Sequence, residues 1–520
     1  MAEEQSSGIA RSAGIIALGN VASRLLGVVR VTIIAHYFGA SGLVSAFEAA
    51  ARVPMMIYDL LVSGMLSAAL VPVLSTYVDR RDELWRLASI MFTLIALLMG
   101  VLVIVLEALA PAVAWVMVGG FSPALLAVTV RLIRIILPAT LLFGLSGVAT
   151  GVLYSLKRFT YPAFGAAVYN LGIIMAAPLL AGQWDIYSLG AGVLAGSLFQ
   201  LLIQLPDLEL KALRPLLDLR HPGLRRIVKL YLPIAAGLVI SQAQIIIDRR
   251  LASGTGEQSI AWMANATQLI QFPHGLISVA ISLAVLPSLS RFSAAQDWAA
   301  YRRTLSAGLR MVITLIVPAI VGLYILGKPL VRLIFEHGRF TAYDTHWVTV
   351  ALFGYLIGLF FASIDWPLNY AFYAQQDTLT PAVVGLWSVF VYLAVALGLV
   401  GRMGMLGLVL ADSAKHASHA AIMWLLLRRR VGGLEEHVAG TLARAAGASI
   451  VMGAAVWFSW RWLAGILPAG ALAGRVLHVA VPAALGAGVY LASALLLGMQ
   501  DLAALWQAVR RRLTARGEAR

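Results

Sequence analysis

Apolar residues occur along this chain in blocks of twenty or more, and polar positions collect in short stretches between them. A helix needs about 20 apolar residues to cross the hydrocarbon core of a bilayer, whereas a barrel strand needs about 10 that alternate. The pattern therefore predicts an all-α polytopic membrane protein. Fourteen spans of helical length can be drawn, at 11–39, 44–77, 84–110, 123–154, 159–181, 185–206, 224–250, 258–290, 299–327, 342–373, 379–400, 404–428, 437–465 and 472–497. Several are longer than a crossing requires and must tilt, kink or extend into water. Pro54 in the second span and Pro273 in the eighth predict kinks, because proline removes a backbone hydrogen bond and clashes with the preceding turn.

The spans repeat. The stretch SAALVPVLSTY around Pro72 resembles SLAVLPSLSRF around Pro287 (287 − 72 = 215), and GVLYSLKRFTYPA resembles NYAFYAQQDTLTPA, which pairs Tyr154 with Tyr373 (373 − 154 = 219). Six spans separate the copies. An even number gives both copies the same orientation, as in parallel repeats about an axis along the membrane normal. The expected plan is a first lobe at 1–206, a basic linker at 207–223, a second lobe at 224–430 and two further helices at 431–499. The two six-helix lobes would enclose a central cavity. The linker also reads as an interfacial amphipathic helix, and 500–520 as a basic amphipathic helix on the inner surface.

Composition agrees: 61% of the 520 residues are hydrophobic, 12% are charged and the mean hydropathy is +0.87. Without cysteine there is no disulfide framework, thiol chemistry or Cys-ligated metal. No Walker A loop or HExxH spacing is present, so no enzyme activity and no cofactor are expected. The N-terminus carries acidic residues where a signal peptide would be basic, and is read as mature sequence. The net charge of +15 does not point to nucleic acid here, because most Lys and Arg fall in loops. Loops after even-numbered spans are basic, for example Arg80, Arg81 and Arg86, or Arg428, Arg429 and Arg430. Loops after odd spans carry far fewer, with Lys328, Arg332 and Arg339 the main exception. Positive-inside bias then places both termini in the cytoplasm.

Charged residues within the spans are the candidates for function, since each is costly in hydrocarbon unless it faces water or a partner. The first two spans carry Arg24, Arg30, Glu48, Arg52 and Asp59. Arg24 and Arg30 are 240° apart around a helix, so one of them can be an interfacial anchor while the other faces a polar cavity. In the seventh span Ser241, Gln244 and Asp248 recur at three- and four-residue steps and share a face. Such a stripe suits Na+ or a proton, or else Asp248 pairs with Arg249, Arg250 or a neighbouring helix. On the twelfth span, Asp412, Lys415, His416 and His419 form a polar patch that reads as a relay or as a packed polar face.

Several stretches resemble the MurJ (MviN) family of the multidrug/oligosaccharidyl-lipid/polysaccharide exporter superfamily: SRLLGVVRVTIIAHYFGAS at 23–41, ALVPVLSTY at 69–77, WMANATQLIQFPHGLISVAISLAVLPSLS at 262–290, LIFEHGRFTAYDT at 333–345 and FYAQQDTLTPA at 372–382. The resemblance runs the length of the chain. It implies a flippase that moves lipid II, the undecaprenyl-pyrophosphate-linked peptidoglycan precursor, from the inner to the outer leaflet of the bacterial cytoplasmic membrane by alternating access. It also implies cavity arginines that bind the pyrophosphate headgroup, at Arg24, Arg30 and Arg52, with Arg249 and Arg250 as helpers. Two further family arginines fall on Tyr58 and Gln268, and two family acids on Val31 and Ser45. The family's acidic residue linked to sodium falls on Asp248, with Gln244 and Ser388 as candidate oxygen donors. Coupling to Na+ or to the membrane potential follows from the resemblance, as does a monomer among membrane lipids. The rival readings are a flippase for another undecaprenyl-linked glycan, a cation-coupled drug antiporter, whose substrate the arginines would repel, and a membrane scaffold.

Overall fold

The apolar blocks fold into helices, and no strand occurs among the described residues. The computed structural model describes residues 2–63, 65–433, 437–468 and 470–499. The tail expected to lie on the membrane surface at 500–520 is outside these residues. The chain divides into two compact units, Met1–Ala261 with His337–Phe340, and Trp262–Glu336 with the residues from Thr341 onward.

The first unit contains α1 (Ala2–Phe38), α2 (Gly42–Tyr58), α3 (Val71–Ser75), α4 (Arg81–Ala108), α5 (Ala110–Val118), α6 (Pro123–Ile136), α7 (Ala139–Ser155), α8 (Thr160–Trp184), α9 (Tyr187–Leu202) and α10 (Pro222–Ser253). Its core is a fully buried apolar cluster from the segment 62–74, α4 and α7, including Leu70, Leu74, Leu87, Ile90, Met99 and Val152. Backbones approach closely where α8 meets α9: a Cβ on Gly172 would sit 2.4 Å from the Gly196 Cα. The piece His337–Phe340 belongs here because Arg339 N–H donates to His36 O at 2.9 Å. Gly338 makes this approach with φ +63°, and a Cβ there would stand 2.1 Å from the same carbonyl.

The second unit contains most of α11 (Ser259–Pro273), then α12 (Ala280–Ala294), α13 (Trp298–Ile334), α14 (Ala342–Ala374), α15 (Leu379–Met403), α16 (Met405–Val431), α17 (His437–Ile466) and α18 (Leu472–Leu496). One buried cluster joins α12, α13, α14 and α16 through Leu289, Tyr301, Leu309, Leu368 and Met423. A second joins α13 to α17 and α18 through Leu326, Ala445, Met452 and Tyr490.

Eleven helices among the described residues are long and apolar enough to cross a membrane. The three other expected spans, the second, seventh and twelfth, are helical but are not among those eleven. They carry Glu48, Arg52 and Asp59; Asp248, Arg249 and Arg250; and Asp412, Lys415 and two histidines. In the second span the regular helix α2 is 17 residues long before it turns π-helical.

The helix irregularities fall near the expected prolines. After Pro54 the helix passes into π-helical segments at Asp59–Ser63 and Leu66–Leu70, and α11 ends at Pro273 with a π-helical segment at His274–Val279. The linker is not the amphipathic helix that its sequence allows. It forms two short 3-10 turns, Leu205–Asp207 and Leu210–Ala212, and then runs extended along α4. There Ser89 Oγ accepts from Arg214 N–H at 3.1 Å and Thr93 Oγ1 from Leu216 N–H at 3.0 Å. Proline at 215 and 222 excludes a continuous helix through it.

The repeat is visible in backbone geometry. α8 and α15 are both 25 residues long, and both ends are offset equally (379 − 160 = 403 − 184 = 219). Each is preceded by a left-handed residue, Lys157 or Gln376, with φ +60°. Each ends on one, Asp185 at φ +45°, ψ −134° and Gly404 at φ +53°, ψ −132°. The sequence pairing of Tyr154 with Tyr373 marks the same register.

Candidate functional site

Most of the expected site residues lie in the first unit, on α1, α2 and α10. Arg24 on α1 is exposed and makes no hydrogen bond or ion pair among the described residues. Arg30, further along the same helix, is half-buried, and its Nη1 donates to Asn170 Oδ1 on α8 at 3.0 Å. The Asn170 amide is fixed in turn, because Nδ2 donates to Ser23 O at 3.2 Å and to Ala166 O at 3.0 Å. A neutral amide thus orients the guanidinium without cancelling its charge. Close contact between α1 and α8 makes this reach possible: a Cβ on Gly19 would collide with Ala163 O at 2.2 Å.

Arg52 on α2 faces Asp59 two turns on, where the helix becomes π-helical. Its Nη2 lies 3.9 Å from Asp59 Oδ2, and both side chains keep more than a third of their surface exposed. A pair this long and this wet contributes little to stability, about 0–1 kcal/mol. Arg52 also interacts electrostatically with Arg249 on α10 and with Glu48 on its own helix. Arg52 and Arg249 are therefore gathered with the Glu48 and Asp59 carboxylates, and the Arg52–Asp59 pair is neither tight nor dry. A π-helical segment leaves backbone groups less regularly paired, and such segments often occur at functional sites.

An aromatic ladder backs this cluster. The Tyr58 ring lies 5.7 Å from Phe143 on α7, and Phe143 lies 5.4 Å edge-on to Tyr169 on α8. Tyr58, where the resemblance expects a family arginine, adds a phenol beside Asp59. Ser45, where the resemblance expects a family acid, is fully buried and accepts from Ala261 N–H at 3.1 Å. Val31 is buried.

The remaining candidates stand apart from these. Arg250 stacks on the Trp115 ring of α5 with its Cζ 5.3 Å from the centroid, a cation–π contact at the end of α10. The Arg249 Nε is buried without a hydrogen bond. Asp248 and Gln244 lie on α10 in half-buried positions. Gln268 and Ser388 belong to the second unit. Gln268 is half-buried on α11, and Ser388 is buried on α15 with its hydroxyl donating to Gly385 O at 2.7 Å. Among the described residues no group of three or more His, Asp or Glu side chains could hold a metal ion.

The polar patch on α16 is a closed network in the second unit. The His419 ring nitrogen meets Asp365 Oδ1 of α14 at 2.7 Å, and Asn369 Nδ2 donates to Asp365 Oδ2 at 2.9 Å. Lys415 Nζ donates to Asp412 Oδ1 at 2.6 Å. His274 accepts from the Trp366 indole at 3.0 Å. Each charge has a partner, which is how buried polar groups are normally carried.

Asn170 was not among the candidates read from the sequence. The signal for Asn170 was a lone amide in an otherwise apolar span, AAVYNLGIIM. Its importance comes from the partner that reaches it, which lies 140 residues away.

Two solved structures share this architecture. A lipid II flippase MurJ in an inward closed conformation matches with a TM-score of 0.78 at 22% identity, over 92% of this chain and 97% of that one. An inward-facing multidrug resistance MATE family transporter of the MOP superfamily matches with a TM-score of 0.67 at 12% identity, over 79% and 95%. At these identities the likeness is one of fold. Sequence narrows the assignment. The family model described as lipid II flippase MurJ matches residues 34–470. The lipid II flippase MurJ of Burkholderia cenocepacia is 32% identical over 420 residues, 78% of this chain and 81% of its own length. A probable lipid II flippase MurJ of Vibrio cholerae is 30% identical over 514 residues, 95% and 97% of the two chains. The chain belongs to the MurJ family.

Proposed function

We propose that this protein is a lipid II flippase, moving the pyrophosphate-linked headgroup from the inner to the outer leaflet of the bacterial cytoplasmic membrane, with both termini cytoplasmic. The observation that carries the reading is the set of arginines on α1, α2 and α10 in the first unit, oriented by an amide and by a loose carboxylate. Guanidinium forks bind phosphate oxygens in pairs and stay charged in a membrane interior. The long Arg52–Asp59 pair can open to a phosphate at little cost, while Arg24 needs to break no bond.

The reading of this protein as a transporter and not an enzyme rests on its family and on the absence of a nucleophile–base arrangement in the cluster. The driving force we propose is the membrane potential. An inside-negative potential favours outward movement of an anionic headgroup by about 2.3 kcal/mol per charge per 100 mV. A sodium role for Asp248, Gln244 and Ser388 is the alternative. Cationic drugs are disfavoured as substrates by the arginines themselves.

Complementation tests the assignment. Arg24→Ala should fail to support growth of a flippase-depleted bacterium while reaching the membrane at the wild-type level. Normal growth with that variant would remove Arg24 from the mechanism, and failure of the unmodified chain would remove the substrate assignment.

A further inference from the structure

The headgroup reading leaves one group of cations unused. Lys328, Arg332 and Arg475 line a cavity of about 380 Å³ in the second unit, together with Trp460, Pro468 and His478. The cavity lies where α13 and α17 end and α18 begins. These are ends that follow odd-numbered spans, where basic residues are otherwise scarce in this sequence, so the cluster runs against the positive-inside pattern. In the orientation proposed above, the cavity opens at the outer leaflet.

The charges are held in place. Arg475 Nη1 donates to Glu336 O at 2.6 Å, which fixes it across the end of α13. Arg332 Nε donates to Glu336 Oε1 at 3.2 Å, while Glu336 Oε2 is occupied by the Thr345 hydroxyl at 2.6 Å. The His478 ring is buried and meets Leu467 O at 3.1 Å. Lys328 is exposed and has no hydrogen bond or ion pair among the described residues. Lys328, Arg332 and Arg475 bring three cations to the cavity wall, and Glu336 brings one carboxylate.

Its surroundings specify the kind of anion. Tyr324, Trp462, Ile466 and Leu472, on the same helix ends, are 59–67% exposed. Large apolar side chains this exposed, with Trp and Tyr among them, suit acyl chains and the headgroup boundary. A basic pocket between transmembrane helices beside such a surface has the chemistry of an anionic lipid site. We propose that this pocket binds the phosphate headgroup of an anionic phospholipid, whose acyl chains lie on the apolar flank of α17 and α18. The site is separate from the arginines of α1, α2 and α10, and it stands whether or not lipid II is the substrate.

The test uses the full chain in detergent, titrated with phosphatidylglycerol, phosphatidylcholine or glycerol phosphate while the thermal midpoint is followed. Phosphatidylglycerol should raise the midpoint saturably, and the other two should not. Lys328→Gln should move half-saturation about fivefold higher, since a basic side chain beside a headgroup is worth about 1 kcal/mol. Arg332→Gln should do the same; if it does not fold, Lys328→Gln carries the test alone, because that side chain holds nothing in the fold. An equal effect of phosphatidylcholine would overturn the anionic headgroup. An equal effect of glycerol phosphate would show a free-anion site and overturn the lipid. Unchanged half-saturation in the variants would place the lipid elsewhere.

Discussion

Replacing Asn170 by aspartate tests whether the charge of Arg30, and not merely its position, serves transport. The wild-type amide oxygen accepts from Arg30 Nη1 at 3.0 Å and leaves the guanidinium charge uncompensated. A carboxylate in its place would pair with that charge. At 4 Å and an effective dielectric of 20 the attraction is about 4 kcal/mol. Against it stands the loss of the two bonds from Nδ2 to Ser23 O and Ala166 O, about 1 kcal/mol each. The fold is therefore expected to survive, and the guanidinium to be occupied. Tenfold in affinity is 1.4 kcal/mol, so a third of that attraction is enough to weaken headgroup binding tenfold. Asn170→Ala serves as the comparison, since it frees Arg30 without neutralising it and costs about 1.5–3 kcal/mol of stability. Both variants would be expressed in a flippase-depleted bacterium, with membrane levels matched and growth and headgroup exposure at the outer surface measured. Asn170→Asp should lose at least tenfold in activity and Asn170→Ala much less. Equal activities for the two variants, or wild-type flipping by Asn170→Asp, would refute a role for the uncompensated charge.

Three further outcomes follow from packing, backbone and titration. Gly172→Ala drives a Cβ to 2.4 Å from the Gly196 Cα, a backbone atom that cannot rotate away, and should cost about 1–3 kcal/mol, read as a lower thermal midpoint in detergent. Asp185→Gly should raise that midpoint, because Asp185 holds φ +45° where its repeat partner is already Gly404, and such strain is worth about 1–3 kcal/mol; an unchanged midpoint would mean the turn is not strained. In the turn between α14 and α15, burial tends to raise the Asp377 carboxyl, but the Thr380 backbone N–H and hydroxyl and the Arg430 guanidinium outweigh it and hold Asp377 at about 2. This is a depressed value, so its stabilisation is present above the unfolded value near 4 and is lost as the pH falls toward 2. Asp377→Asn should therefore lower the midpoint equally at pH 7 and pH 5, and a difference at pH 2 as large as that at pH 7 would contradict the assignment.

Much of this molecule could be read from residue order. Block length and apolarity are local properties, and a bilayer accepts only structures that satisfy their own backbone. Helices therefore followed directly from the runs, and the repeat followed from Pro72 with Pro287 and Tyr154 with Tyr373. The same reasoning flagged Arg24, Arg30 and Arg52 as costly and therefore meaningful. It did less well with the linker, where amphipathic composition suggested a helix and proline with side-chain bonds to α4 produced an extended segment.

Sequence by itself determined the helical membrane class, the internal duplication and the family, because hydropathy and motif are carried by neighbouring residues. Tertiary structure alone decided which charges are occupied and which remain available. Arg30 is steered by an amide 140 residues away, Arg250 rests on Trp115, Ser388 is bonded within its own helix, and Lys328 and Arg475 line one cavity. Each of these depends on which helices pack together, and packing is a long-range property that spacing along the chain does not encode.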